Sequence, residues 1–130
     1  KPFIYATAFN KGFTPETVLF DLPTEFQSTC DWRGKATAGH NQSDCYMPDN
    51  YDGKFRGPIT LRNALAQSIN VPAVKLFYLA GLKDSLKTSE DLGITTLTNI
   101  ERYGLTLVIG GGEVTLLDMT SAYGVFAYCP

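Results

Sequence analysis

The stretch "NYDGKFRGPITLRNALAQSINVPAVKL", residues 50–76, decides the reading of this chain. Its Asp52-Gly53 pair is a turn signal. Thr60 is an N-cap candidate, and Leu61, Ala64 and Leu65 fall on one face of the helix that follows. A second helix opens with Asn70 as its N-cap candidate, carries Pro72 in its first turn and stops at Gly81. Ser68 and Asn70 thus form a polar seam between two apolar helices, and packing gives no reason for it. As a bare cap, Asn70 would add about 1 kcal/mol to its helix. Ser68 would be only a C-terminal helix residue.

Outward from the seam, the chain alternates helix and turn. Residues 1–11 read as helix after Pro2, with Gly12 as the stop. "FTPETVLFDLPTEF" (13–26) is extended, with Val18, Leu19 and Phe20 as a short strand between the breakers Pro15 and Pro23. Ser28 to Gly57 is a long excursion rich in Gly, Asn, Asp, Ser and Pro, of the kind that is functional or disordered. "LKDSLKTSEDLG" (82–93) is a further helix ending at Gly93. Residues 94–112 connect it to a last helix in "EVTLLDMTSAYGVFAY" (113–128). There Thr115 and Asp118 have capping-box spacing.

Composition narrows the classes. The chain has 130 residues, 44% of them hydrophobic, which is enough for a packed core. A net charge of -2 gives no electrostatic reason to expect nucleic acid as a partner. No apolar run approaches the roughly 18 residues of a membrane span. Without an initiator Met or a signal-like start, we expect a piece of a longer protein, with any export signal or anchor elsewhere. Three cysteines, Cys30, Cys45 and Cys129, fit no zinc spacing, and no metal or cofactor is expected. Cys30 and Cys45 bracket a polar loop as either a disulfide or two thiols, and Cys129 is left over.

Other candidates are weaker. His40 is the only histidine and lies in the Gly/Asn/Ser-rich loop, so it reads as a bystander, and serine chemistry here would use a lysine base. "GGGE" (110–113) lacks both phosphate-loop and dinucleotide-loop spacing and reads as a tight turn into a helix. "NQS" (41–43) is a glycosylation sequon of a length common by chance.

Three blocks carry a family likeness. The opening stretch, "LVIGGGEVTLLDMTSAYGVFA" (107–127) and "KPF" leading into a helix and "GFTPETVLFD" (12–21) together resemble the transpeptidase domain of penicillin-binding proteins, most of all the bifunctional class A type. The likeness spans nearly the whole chain except about residues 28–45. It implies a mixed α+β fold, of which residues 1–130 would be mainly the helical part of a β-lactamase/transpeptidase-like domain truncated at both ends. The family's main sheet would lie in the flanking segments, leaving an apolar face uncovered here.

That family builds its site from S-x-x-K, S-x-N and K-T-G motifs. The resemblance makes Ser68-Ile69-Asn70 the second motif and Lys1 the lysine of the first. The nucleophilic serine would then lie three residues upstream of Lys1, and K-T-G beyond Pro130. "LKTSED" (86–91) has no glycine after Lys-Thr, falls inside a helix and is not equated with the third motif. The implied activity is a serine-type D-Ala-D-Ala transpeptidase, an acyltransferase that cross-links peptidoglycan stem peptides in bacterial cell-wall synthesis and is trapped by β-lactams. The implied setting is extracytoplasmic, in the periplasm or on the outer face of a cytoplasmic membrane that anchors the parent. The fragment alone is expected to be inactive. The competing readings are a non-catalytic β-lactam sensor or structural relative, and a D,D-carboxypeptidase or β-lactamase of the same superfamily.

The expected roles are specific. Serine and lysine three apart on a helix share a face. For Lys1 to act as base near neutral pH, its pKa must fall by roughly three from about 10.4, which burial and a nearby cation can achieve. Ser68 would pass a proton between Lys1 and the leaving amine. Asn70 would hydrogen-bond Lys1 and the substrate backbone. Ser68 and Asn70 should then face one cleft within reach of Lys1.

Overall fold

The computed structural model describes residues 1–99 and 102–128. Cys129 therefore lies outside the described residues. The elements run α1 (Pro2–Asn10), β1 (Val18–Asp21), β2 (Gly57–Thr60), α2 (Leu61–Ala66), α3 (Asn70–Ala80), α4 (Leu82–Asp91) and α5 (Leu116–Tyr128). Short 3-10 turns occur at Gln42–Asp44 and Leu105–Ile109. The mixed, mostly helical character agrees with the α+β expectation. The chain divides into two compact units: residues 1–15 with the chain from Ala73 onward, and Glu16–Pro72.

In the first unit, Pro2 opens α1 where a missing N–H is harmless. The Lys1 carbonyl accepts from the Ile4 and Tyr5 amides. Phe3, Ile4, Tyr5 and Ala8 are buried, as are Ala73, Val74, Leu76, Phe77 and Ala80 of α3 and Leu86 of α4. Lys11 of the α1 terminus forms an ion pair with Asp84 of α4. The Tyr5 hydroxyl is buried with no hydrogen-bond partner among the described residues, and burial pushes its pKa up to about 12. α5 buries little beyond Ala122. Phe3 meets its Tyr123 edge to face at 5.5 Å, while Leu116, Leu117 and Tyr128 stay exposed. These side chains give α5 an exposed apolar face. The capping box at α5 forms only by half: the Asp118 amide donates to Thr115 Oγ1, but the Asp118 carboxylate accepts from the Thr95 amide and hydroxyl instead of reaching back.

In the second unit, β1 and β2 pair antiparallel, Val18 opposite Thr60 and Asp21 opposite Gly57. The sequence reading found β1 but not β2, because "GPIT" begins with two residues that ordinarily break strands. A two-stranded ribbon with edges on both sides tolerates Pro58, which needs no ladder N–H. Thr60 then ends the strand and caps α2, accepting from the Asn63 amide at 3.3 Å.

The 28–57 excursion is ordered by local polar bonds. Glu25 Oε1 accepts from the amides of Phe26, Gln27 and Tyr46, which closes its neck. Asp31 Oδ1 accepts from the Arg33 and Lys35 amides. Cys30 and Cys45, left open by the sequence, are joined in a disulfide across 15 residues. A bridge over a loop of that length stabilises by about 3 kcal/mol by restricting the unfolded chain. Replacing both cysteines with serine is expected to lower the unfolding free energy by about that amount, read as a fall in the urea midpoint; an unchanged midpoint would count against it.

Candidate functional site

The site grows from how α2 ends. Its last turn closes with the Ser68 amide donating to the Leu65 carbonyl at 3.0 Å and the Ile69 amide to the Ala64 carbonyl at 2.9 Å. This is a Schellman motif. Ile59, Ala64 and Ile69 form a buried cluster, the apolar contact that accompanies the motif. Two other helices end in the same way. α1 closes through Gly12 and Phe13, and α4 through Gly93 and Ile94. There the left-handed position is glycine, at φ 96° and 98°. At α2 it is Ser68, at φ 55°, the only non-glycine with positive φ among the described residues.

A side chain in this region costs about 1–2 kcal/mol. Local geometry asks for glycine and the chain supplies an exposed hydroxyl. Ser68 borders a concavity of about 130 Å³ with Asn50, Asp52, Arg56 and Gln67.

Asn70 is the first residue of α3, so the helix starts at the residue read from the sequence as its cap. Its side-chain amide donates to the Asp49 carbonyl at 3.0 Å. The first two amides of α3, those of Asn70 and Val71, are accepted by Asn50 Oδ1 at 3.1 and 3.0 Å. Sequence reasoning missed Asn50. The caps it searches for lie next to the helix, and this one comes from 20 residues away.

Lys1 stands at the mouth of α1, in the first unit. It borders a cavity of about 150 Å³ lined by Phe3, Ile4, Val108, Tyr123 and Ser85. The Ser85 hydroxyl there is buried with no hydrogen-bond partner among the described residues. Desolvation lowers the Lys1 pKa from its ordinary value, the direction that favours a neutral amine. Ser68 and Asn70 belong to the second unit.

His40 is exposed and its amide closes a turn on the Thr37 carbonyl. Among the described residues the one grouping with metal-ligand proximity is Glu25, Cys30 and Cys45, whose sulfurs are already bonded to each other. Gly111 and Gly112 of the "GGGE" turn sit where a Cβ would strike Thr106 or Leu107, so close packing accounts for them.

The turn geometry gives a stability test. Ser68→Gly is expected to raise the unfolding free energy by about 1 kcal/mol, whereas Ser68→Ala keeps the left-handed Cβ and should not raise it. Chemical denaturation of the two variants checks the difference, and equal stabilities would remove the strain argument.

No protein-family model matches the chain. Individual relatives do. Penicillin-binding protein 1A of Aquifex aeolicus is 38% identical over 127 residues, penicillin-binding protein 2D of Bacillus subtilis 35% over 128, and penicillin-binding protein 1C of Escherichia coli 33% over 129. Each match covers 98% of this chain and 14–16% of the relative. Among solved structures, penicillin-binding protein 1A of Haemophilus influenzae matches with a TM-score of 0.76 at 31% identity, over 97% of this chain and 17% of that one. Similarity that runs through both the helix seam and the α1 start, in sequence and in fold, places the chain in the penicillin-binding protein family.

Proposed function

We propose that residues 1–130 are part of the transpeptidase domain of a class A peptidoglycan D,D-transpeptidase, with Lys1, Ser68 and Asn70 in its catalytic cleft. The observation that carries this reading is Ser68 itself: an exposed hydroxyl held in a left-handed turn that glycine would occupy at lower energy. Strained backbone of this kind clusters at functional sites.

In the proposed reaction a serine three residues before Lys1 attacks the carbonyl between the two terminal D-alanines of a stem peptide. Lys1, as neutral amine, takes the serine proton. Ser68 passes a proton to the departing amine, and D-alanine leaves. The amine of a neighbouring stem peptide then attacks the acyl-enzyme and forms the cross-link. A β-lactam follows the first half of this path and stays bound. Asn70 would orient Lys1 and the substrate amide. The seam between α2 and α3 suits such work, because helices hold their terminal side chains more precisely than a free loop does. The disulfide supports an extracytoplasmic setting, since such bonds persist in oxidising compartments. No helix among the described residues is long and apolar enough to cross a membrane, and the anchor proposed for the parent rests on the family resemblance alone.

A version of the chain extended at both ends to the complete domain should be labelled covalently by a fluorescent penicillin. Ser68→Ala should slow labelling by about tenfold or more, the scale of lost proton-transfer help. An unchanged rate would remove Ser68 from the mechanism. Failure of the extended domain to label at all, with a residue other than serine three places before Lys1, would favour the non-catalytic relative.

Lys1 gives a pH test. The base must be neutral, so acylation should fall as pH drops through the Lys1 pKa. Because burial lowers that pKa, the half-maximal rate should lie below the value of about 10.4 for an ordinary lysine. A rate that stays flat down to acid pH would exclude Lys1 as the base.

A further inference from the structure

Asn50 makes every hydrogen bond its side chain allows. Oδ1 accepts from the Asn70 and Val71 amides at 3.1 and 3.0 Å. Nδ2 donates to Asp21 Oδ1 and to the Lys54 carbonyl, both at 2.8 Å. With two acceptor sites and two N–H groups all engaged, the amide has one orientation, since a flip would set oxygen against oxygen and hydrogen against hydrogen. Asn50 is 4% exposed and Asp21 is fully buried. Asp21 Oδ2 in turn accepts from the Arg56 amide at 3.0 Å, and the Arg56 guanidinium lies 3.8 Å from it. The same guanidinium reaches Asp52 at 2.8 Å. A chain of bonds thus runs from strand β1 through Asn50 to the first turn of α3. Its neighbour Asp49 holds the Asn70 side chain by its carbonyl.

We propose that Asn50 is a positioning residue for the Ser68-x-Asn70 motif, with Asp21 as its anchor. The proposal rests on the catalytic reading of that motif above. Asn50 touches neither substrate nor Lys1 in this scheme. It fixes where α3 begins, and so where Asn70 stands relative to Ser68 two residues earlier. Apolar burial of Ile69 and Val71 sets the depth of the seam. The two bonds to Oδ1 fix the direction of the first α3 amides. A misplacement of about 1 Å at a catalytic group costs on the order of 100-fold in rate.

The test uses the complete transpeptidase domain and a fluorescent penicillin, with non-covalent affinity and the acylation step measured separately. Asn50→Asp keeps the acceptor for α3 but sets a carboxylate oxygen against Asp21. It should slow acylation by about tenfold or more while penicillin affinity stays within about twofold. Adding Asp21→Asn restores a donor–acceptor pair between the two positions, leaving only the Lys54 carbonyl without its donor, and should recover acylation by about threefold or more over the single variant. A folded Asn50→Asp variant that acylates at the wild-type rate overturns the proposal. So does an exchange variant that folds and remains as slow as the single one. If Asn50→Asp does not fold, the exchange decides: a folded exchange variant acylating within about tenfold of wild type supports positioning and a slower one overturns it. Ser68→Ala run alongside separates the two levels. If it acylates normally, the catalytic reading fails and the proposal with it. If it is slow while Asn50→Asp is normal, only the role of Asn50 is lost.

Discussion

The second unit depends on a left-handed turn at a residue that is not glycine. The Ser68 turn lets α2 stop, sends Ile69 back onto Ala64 and brings the start of α3 within reach of Asn50. With a right-handed residue at this point α2 would run on, and the amides of Asn70 and Val71 would be spent inside it. The bonds from Asn50, the anchor on Asp21 and the Ile59–Ala64–Ile69 cluster all presuppose that turn. Hydrophobic burial supplies most of the stability, but it is non-directional. The turn and the polar chain behind it supply the direction.

Asp21 shows the balance between these forces. A fully buried carboxylate is expensive unless it is paired and hydrogen-bonded. Asp21 has a side-chain amide, a backbone amide and a nearby guanidinium. Breaking such a network by removing one member leaves the rest buried without partners, which is why it specifies a geometry more sharply than apolar contacts do. It runs from β1 through the loop before β2 to the first turn of α3, so the ribbon acts as the frame on which the start of α3 is mounted.

Much of this was legible in the sequence, for definite reasons. α1, α3 and α4 announce themselves through Pro2, Pro72 and the stops at Gly12, Gly81 and Gly93, which act within one turn of the helix they bound. Thr60 as cap of α2 is equally local. The seam residues stood out because polar side chains interrupted an apolar pattern. What was not legible acts over distance. The cap from Asn50, the pairing of β2 with β1 and the diversion of Asp118 to Thr95 each depend on a partner about 20 residues away or more. Spacing rules do not reach that far. The disulfide is intermediate: the cysteines were visible, and their pairing needed the neck that Glu25 ties.

The three α-helical Schellman endings make the strongest comparison within one molecule. Gly12, Gly93 and Ser68 meet the same backbone demand with the same pair of hydrogen bonds. The demand therefore cannot explain the serine; glycine satisfies it at the ends of α1 and α4 and again at Gly110 after the 3-10 turn. A capping role cannot explain it either, because the amides that open α3 are already served by Asn50. What distinguishes Ser68 is a hydroxyl-bearing side chain on an exposed turn. A local rule broken at one of three equivalent places, with the surrounding structure built to hold the exception, is the pattern expected where a side chain is kept for chemistry.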